Sequence, residues 1–224
     1  MFTLNSLPSA LDARLIDKLL HAEPATIGHF RNWGFMDPAI RAMQPDVRIV
    51  GPAVTVRAPG VDGTIVGYAL GQVRRGDVLV IDRCGDHRHA AFGGLVAYAC
   101  KVAGIAGVII DGVATDIGEV RKYGVPLWCR GLSAVTTKRI GLAGEFCVPV
   151  SCGGVEVNPG DVVIADECGI VVLDPQEAEA AAERAIGMQD AEVKSRARLD
   201  AGEKLPDISG ATKMLQEALA KQKP

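Results

Sequence analysis

The chain has 224 residues, of which 48% are hydrophobic and 4% aromatic, and 24 Lys+Arg against 27 Asp+Glu give a net charge of −3. That hydrophobicity argues against disorder, the near balance of charge argues against a nucleic-acid partner, and the few aromatics leave little for bases to stack on. The opening MFTLNSLPSALDARL lacks a basic segment followed by an apolar one, and no run approaches the ~18 apolar residues of a membrane span. The chain is therefore expected to be cytoplasmic, with no membrane partner. Six cysteines (Cys84, Cys100, Cys129, Cys147, Cys152, Cys168) lie far apart with no C-x-x-C pair, and read as reduced, mostly buried small hydrophobes.

The whole chain, 1–224, is expected to fold as a single domain in three stretches. Residues 1–45 predict a helical and irregular N-terminal arm, with Leu11, Leu15 and Leu19 at helical spacing before Pro and Gly break the pattern. Residues 46–174 alternate Val/Ile-rich runs with Gly- and Ala-rich segments. Strands are predicted at Arg48–Arg57, Asp77–Ile81, Ala106–Ile110, Pro126–Cys129, Asp161–Ala165 and Gly169–Leu173, and helices at roughly 63–72, 91–103 and 116–123. Strands apolar at almost every position suit a sheet covered on both faces, so the rhythm predicts a three-layer α/β domain with parallel pairs at its centre. Residues 145–173 contain VNPGD and read as a hairpin-rich section. From Pro175 an Ala/Glu/Arg-rich run predicts one long helix with Pro in its first turn, then, from Leu205, a loop and a short terminal helix; together 175–224 form a C-terminal arm.

Chemistry concentrates in two runs. In GIAGVIIDGVATDIGEV, residues 104–120, a buried strand is read as ending at Asp111, with a tight turn at Gly112 and a helix from Asp116. Ligands gather beyond the carboxyl ends of strands in such sheets. Asp116 and Glu119 share a helix face, and with Asp111 they make an oxygen-rich cluster suited to a hard cation such as Mg2+. The plain alternative is that Asp116 only caps its helix. In VIDRCGDHRHAAFGGLVAYACK, residues 80–101, a strand and a polar turn lead into a helix opening at Gly93-Gly94. Free N–H groups there suit a carboxylate or phosphate, or else the glycines only permit close packing. His87 and His89 in the turn are candidate ligands, more simply read as solvated.

These runs together resemble a known family. Gly94, then twenty residues, then Thr115-Asp116, two residues and Glu119 is similar to the G-x20-R-D-x2-E/D signature of the RraA-like proteins. The resemblance continues through GPAVTVRA, GDVLVID, GVPLWCRG and VNPGDVVIADECGIVVL, from about Val50 to Leu173, and less specifically into AEVKSRARLDAGE. It implies a β/β/α sandwich of the swivelling-domain type, assembled as a homotrimer or homohexamer with sites at subunit interfaces. The family includes metal-dependent aldolases acting on 4-hydroxy-4-methyl-2-oxoglutarate and 4-carboxy-4-hydroxy-2-oxoadipate, and regulators of ribonuclease activity. Older usage called some members demethylmenaquinone methyltransferases, but no glycine-rich loop for S-adenosylmethionine follows the first strand here.

The resemblance implies that Asp116, with Glu119, holds Mg2+ or Mn2+ mostly through water. The cation grips the keto-acid end of a small α-keto acid, a base removes a hydroxyl proton, and pyruvate leaves as an enolate; decarboxylation of oxaloacetate is the companion activity. Gly94, Leu95 and Val96 would offer N–H groups to the substrate, and Glu192 resembles the acid of the last helix that reaches a neighbouring subunit's site, or else lies on a solvated face. Where the aldolases carry Arg before the metal-binding Asp, this chain has Thr115, which supplies neither charge nor a two-pronged contact. A charged hydrogen bond is worth roughly 1.5–3 kcal/mol, so with its loss either another cation stands in, or the substrate differs, or the activity is gone. Arg88, in the Asp86–His89 turn, is the expected stand-in, unless it is a surface partner of Asp86. The alternative function is a non-catalytic regulator binding a protein partner. The regulators lack the second acid of the motif, so Glu119 favours the metal-dependent lyase.

Overall fold

The computed structural model describes residues 1–222. From the N terminus, β1 (Phe2–Leu4) is followed by α1 (Ala13–Leu20), α2 (Pro24–Ile27) and the short β2 (Arg41–Ala42). Then come β3 (Ile49–Arg57), α3 (Thr64–Ala69), β4 (Val78–Asp82), α4 (Gly94–Ala103), β5 (Gly107–Ala114), α5 (Ile117–Tyr123) and β6 (Leu127–Leu132). The β-rich section follows as β7 (Gly144–Phe146), β8 (Val150–Cys152), β9 (Val155–Val157), β10 (Val162–Asp166) and β11 (Gly169–Leu173), and the chain closes with α6 (Pro175–Asp200), α7 (Leu205–Ile208) and α8 (Ala211–Lys221).

β3, β4, β5 and β6 run parallel in that order. β7 and then β1 extend the sheet beyond β3, and β2 edges it beyond β6. β3 serves two layers: Ala53–Arg57 pair with β4, whereas Ile49–Pro52 pair with β10 of the β10–β11 ribbon. Three cores result. Val54, Val56, Leu79, Ile81, Val108 and Ile110 face the helices, with Ala97 and Cys100 of α4 and Val120 of α5 packed on them. Ala53, Val78, Val80, Ile109 and Trp128 face the other way, against Val150, Cys152, Val157, Val163 and Ile170. Strands sandwiched in this way are apolar on both faces, which explains their uniform sequence. The outer side of the ribbon (Val162, Ile164, Val171, Leu173) is covered by Leu19, Ile27 and the Ala178, Ala181, Ala182, Ala185 stripe of α6. The β/β/α sandwich is thus present, with an added helical layer outside it.

The two arms differ from expectation. Residues 1–45 are not helical throughout: β1 and β2 join the main sheet, while α1 and α2 pack on the ribbon. The segment after Leu205 is two helices rather than a loop and one helix. β5 also runs on to Ala114 instead of stopping at Asp111. Its register against β6 shifts between Ile110 and Val113, so Asp111-Gly112 is a bulge within the strand and not a turn. Gly112 is required for another reason: a Cβ there would lie 2.5 Å from Cγ of the fully buried Arg83.

Candidate active site

A cavity of about 360 Å³ opens beyond the carboxyl ends of β4 and β5. Its walls are α3, the Ala90–Val96 entry into α4, Thr115-Asp116 and the Thr136–Arg139 segment. Gly93 and Gly94 make the floor possible. A Cβ on Gly93 would stand 2.7 Å from Asp116 Oδ2 and 2.8 Å from Thr115 Cγ2, and one on Gly94 would collide with Glu119 Oε2. The two glycines therefore admit two carboxylates against the start of a helix, beyond the close packing that glycine alone would explain.

Asp116 occupies the N-cap position of α5 with a left-handed backbone (φ 51°), yet its side chain makes no capping bond to that helix. Its Oδ2 instead accepts the Gly94 N–H at 2.9 Å, and Thr115 Oγ1 donates to its Oδ1 at 3.3 Å. The cap alternative is thereby answered: Asp116 is turned across to the α4 terminus. The N–H groups of Leu95 and Val96 precede the first intrahelical bond of α4, from Ala97 to the Gly93 carbonyl, and both residues line the cavity.

Other expected members lie elsewhere. Asp111 follows Ile109 onto the opposite sheet face, where its carboxylate takes Arg130 Nε at 2.5 Å and the Gly153 N–H at 2.7 Å. It does not join Asp116 and Glu119. Among the described residues no three His, Cys, Asp or Glu side chains converge to hold a metal. The Asp116–Glu119 pair alone suits a hard cation that keeps most of its waters, because such ions need only one or two carboxylates. Arg88 is not on the cavity lining. Its N–H donates to Asp86 Oδ1, its carbonyl accepts from Ser133 Oγ, and its guanidinium pairs with no carboxylate among the described residues, Asp86 included. Asp86 is taken by Arg83 and by His89 Nδ1 at 2.8 Å. Burial opposes ionisation of Asp86, but the Arg88 and His89 N–H groups and the His89 ring outweigh it and hold its pKa down at about 2. Glu192 is exposed on α6 and pairs with Arg196, the solvated alternative within one copy of the chain.

Two further cations, Lys138 and Arg139, stand on the lining and were not expected there. Their only sequence signal is the TTKR run between β6 and β7, which no periodicity ties to the site. The cysteines match expectation in part: Cys100, Cys129, Cys147 and Cys152 are buried, Cys84 and Cys168 exposed, and all are free. Burial pushes the Cys100 thiol up to about 12, so no activated thiolate stands there.

The fold and this strand-end cavity define an α/β protein with a carboxylate pair beside an open helix terminus. The chain belongs to the RraA-like family, whose model, described as Aldolase/RraA, matches residues 13–172. It is 36% identical over 162 residues to a Halalkalibacterium halodurans protein named "Putative 4-hydroxy-4-methyl-2-oxoglutarate aldolase", covering 72% of this chain and 77% of that one. Among solved structures it is similar to Streptomyces coelicolor RraAS2, described as an unusual member of the RNase ES inhibitor RraA family, with 30% identity, a TM-score of 0.75 and coverage of 84% and 98%. An uncharacterized Pseudomonas syringae protein matches at 27% identity and a TM-score of 0.78, covering 92% and 99%.

Proposed function

We propose that this chain is a divalent-metal-dependent lyase that cleaves or decarboxylates a small α-keto acid, a 4-hydroxy-2-oxo diacid or oxaloacetate. One observation carries the reading: the Asp116 carboxylate, on the lining of a strand-end cavity, and the Glu119 carboxylate both pack against the Gly93-Gly94 start of α4. Asp116 and Glu119 would hold Mg2+ or Mn2+, which, when bound, supplies the fixed positive charge that carbon–carbon cleavage beside a carbonyl requires. The Leu95 and Val96 N–H groups, with that of Gly94 once Asp116 turns away, would receive a carboxylate and orient the keto acid. Thr115 keeps a hydroxyl against Asp116 and adds no charge. The protein would act in the cytoplasm as a homotrimer or homohexamer, with Glu192 of a neighbouring subunit completing the site.

The test is direct. Purified protein is incubated with oxaloacetate and with 4-hydroxy-4-methyl-2-oxoglutarate, in Mg2+ or in EDTA, and pyruvate is followed. Pyruvate formed in Mg2+ and abolished by EDTA is the expected result; none from either substrate removes the reading. A second reading, a non-catalytic regulator that binds a protein, is favoured by one feature. Leu95, Tyr98 and Val102 present an exposed apolar stripe on α4 beside the site, 76%, 49% and 70% exposed.

A further inference from the structure

Resting on the lyase reading above, we propose that Arg139, with Lys138 beside it, is the cation that binds a carboxylate of the keto acid in this chain. Both residues line the cavity that holds Asp116 and Thr115. Arg139 also borders a neighbouring cavity of about 400 Å³ lined by Thr64, Leu70, Leu95 and Tyr98, so it belongs to the wall the two cavities share.

The backbone that presents these side chains is fixed on both sides. Thr137 N–H donates to the Ala90 carbonyl at 3.0 Å, Lys138 N–H to the Val61 carbonyl at 2.8 Å, and the Lys138 carbonyl accepts the Gly63 N–H at 2.8 Å. Beyond Arg139, the Asp62 carboxylate accepts the N–H groups of Ile140 at 3.2 Å, Leu142 at 2.6 Å and Ala143 at 3.3 Å. Arg139 thus projects from a segment tied to the floor of the domain on each side, which limits what ordering costs when a ligand arrives.

Both charges also remain unspent. Arg31, Arg48, Arg57, Arg74, Arg83 and Arg130 each pair with a carboxylate, whereas among the described residues neither Lys138 nor Arg139 has an ion pair or a side-chain hydrogen bond. Asp116 is the single carboxylate among the lining residues, so Lys138 and Arg139 leave the lining with a net positive charge before any ligand binds. Thr115 is neutral and already directed to Asp116. A planar guanidinium grips a carboxylate through two parallel N–H bonds, and an ammonium cannot. Arg139 is therefore the gripping group, and Lys138 contributes charge.

The experiment is steady-state kinetics on oxaloacetate in Mg2+, together with calorimetry of oxalate binding in Mg2+, for the intact protein and four variants. Arg139→Ala is expected to raise KM about tenfold and to weaken oxalate by a similar factor, the size of one charged hydrogen bond. Arg139→Lys should recover only part of the loss, and Lys138→Ala should lose less than Arg139→Ala. Thr115→Arg added to Arg139→Ala should restore binding, because residue 115 lines the same cavity. A KM and an oxalate affinity within about twofold of the starting protein in Arg139→Ala overturn the proposal. If the starting protein turns over neither keto acid, calorimetry decides alone. Oxalate binding that Arg139→Ala weakens supports the clamp and sinks only the lyase reading; binding indifferent to Arg139, or no binding, overturns the clamp.

Discussion

Asp116 carries two demands that conflict. A left-handed backbone costs an ordinary L-residue about 1–2 kcal/mol, less for Asp and Asn, and Asp116 adopts it at φ 51° without the compensation of a side-chain cap. What the conformation gains is direction, since the carboxylate reaches Gly94 instead of its own helix. Stability and function should therefore separate here. Asp116→Asn tolerates the same backbone and is expected to leave the melting temperature nearly unchanged while Mg2+ or Mn2+ affinity, measured by titration calorimetry, falls severalfold or more. Unchanged affinity would remove Asp116 from the metal site. Gly94→Ala makes the complementary test. Its Cβ meets the far end of the Glu119 side chain, which can swing aside, so the fold should survive while Glu119 is displaced and metal binding weakens. A Gly94→Ala protein that binds metal as before would show that Glu119 does not need its position over Gly94.

At the scale of elements, the strands were legible because burial on both faces leaves a run of Val and Ile, and β11 falls at Gly169–Leu173 as read. β1 leaves no signal in the sequence, because all three of its residues are exposed and only pairing with β7 makes it a strand. The end of β5 is hidden in the sequence for a related reason. Asp111 and Gly112 look like a turn in one dimension, yet one answers Arg130 and Gly153 and the other makes room for Arg83, contacts made from distant parts of the sequence. The segment carrying Lys138 and Arg139 is held by Asp62, which is 2% exposed. Burial alone would raise the Asp62 pKa, but hydrogen bonds from Thr64, Leu142 and Ile140 overrule it and hold the carboxyl well below the usual range. Since the folded pKa is depressed, the stabilisation is complete above the unfolded value of about 3.9 and is lost as pH falls through the folded one. Asp62→Asn should cost roughly 1.5–3 kcal/mol at neutral pH, read from urea unfolding, because a charged acceptor is replaced by an amide. That gap between the two proteins should narrow below about pH 4, because the wild-type carboxyl then takes up a proton in the unfolded chain while the folded one is still ionised. A gap that persists unchanged into strong acid would show that the charge of Asp62 is not what holds the segment.

For the molecule as a whole, the C-terminal helices are out of proportion to the surface they bury. The alanine stripe of α6 ends at Ala185, and beyond it no residue of α6, α7 or α8 is buried. Leu205, Met214, Leu215 and Leu219 stand 58%, 70%, 62% and 52% exposed. An 11-residue helix such as α8 is marginal in water without a packed face, so its persistence calls for a surface to lie on. α8 packs mainly on α7, and α7 on α6, rather than on the strands. A second copy of the chain is the surface expected from the assembly proposed above. Light scattering at micromolar concentration should then return the mass of a trimer or hexamer, and ending the chain after Lys204 should lower that mass. The same truncation should leave the melting of the sheet nearly unchanged, because it removes no residue from any of the three cores. A truncated protein that keeps the full assembly would show that the terminal helices do not hold it together, and a full-length protein that scatters as a monomer would remove the assembly altogether.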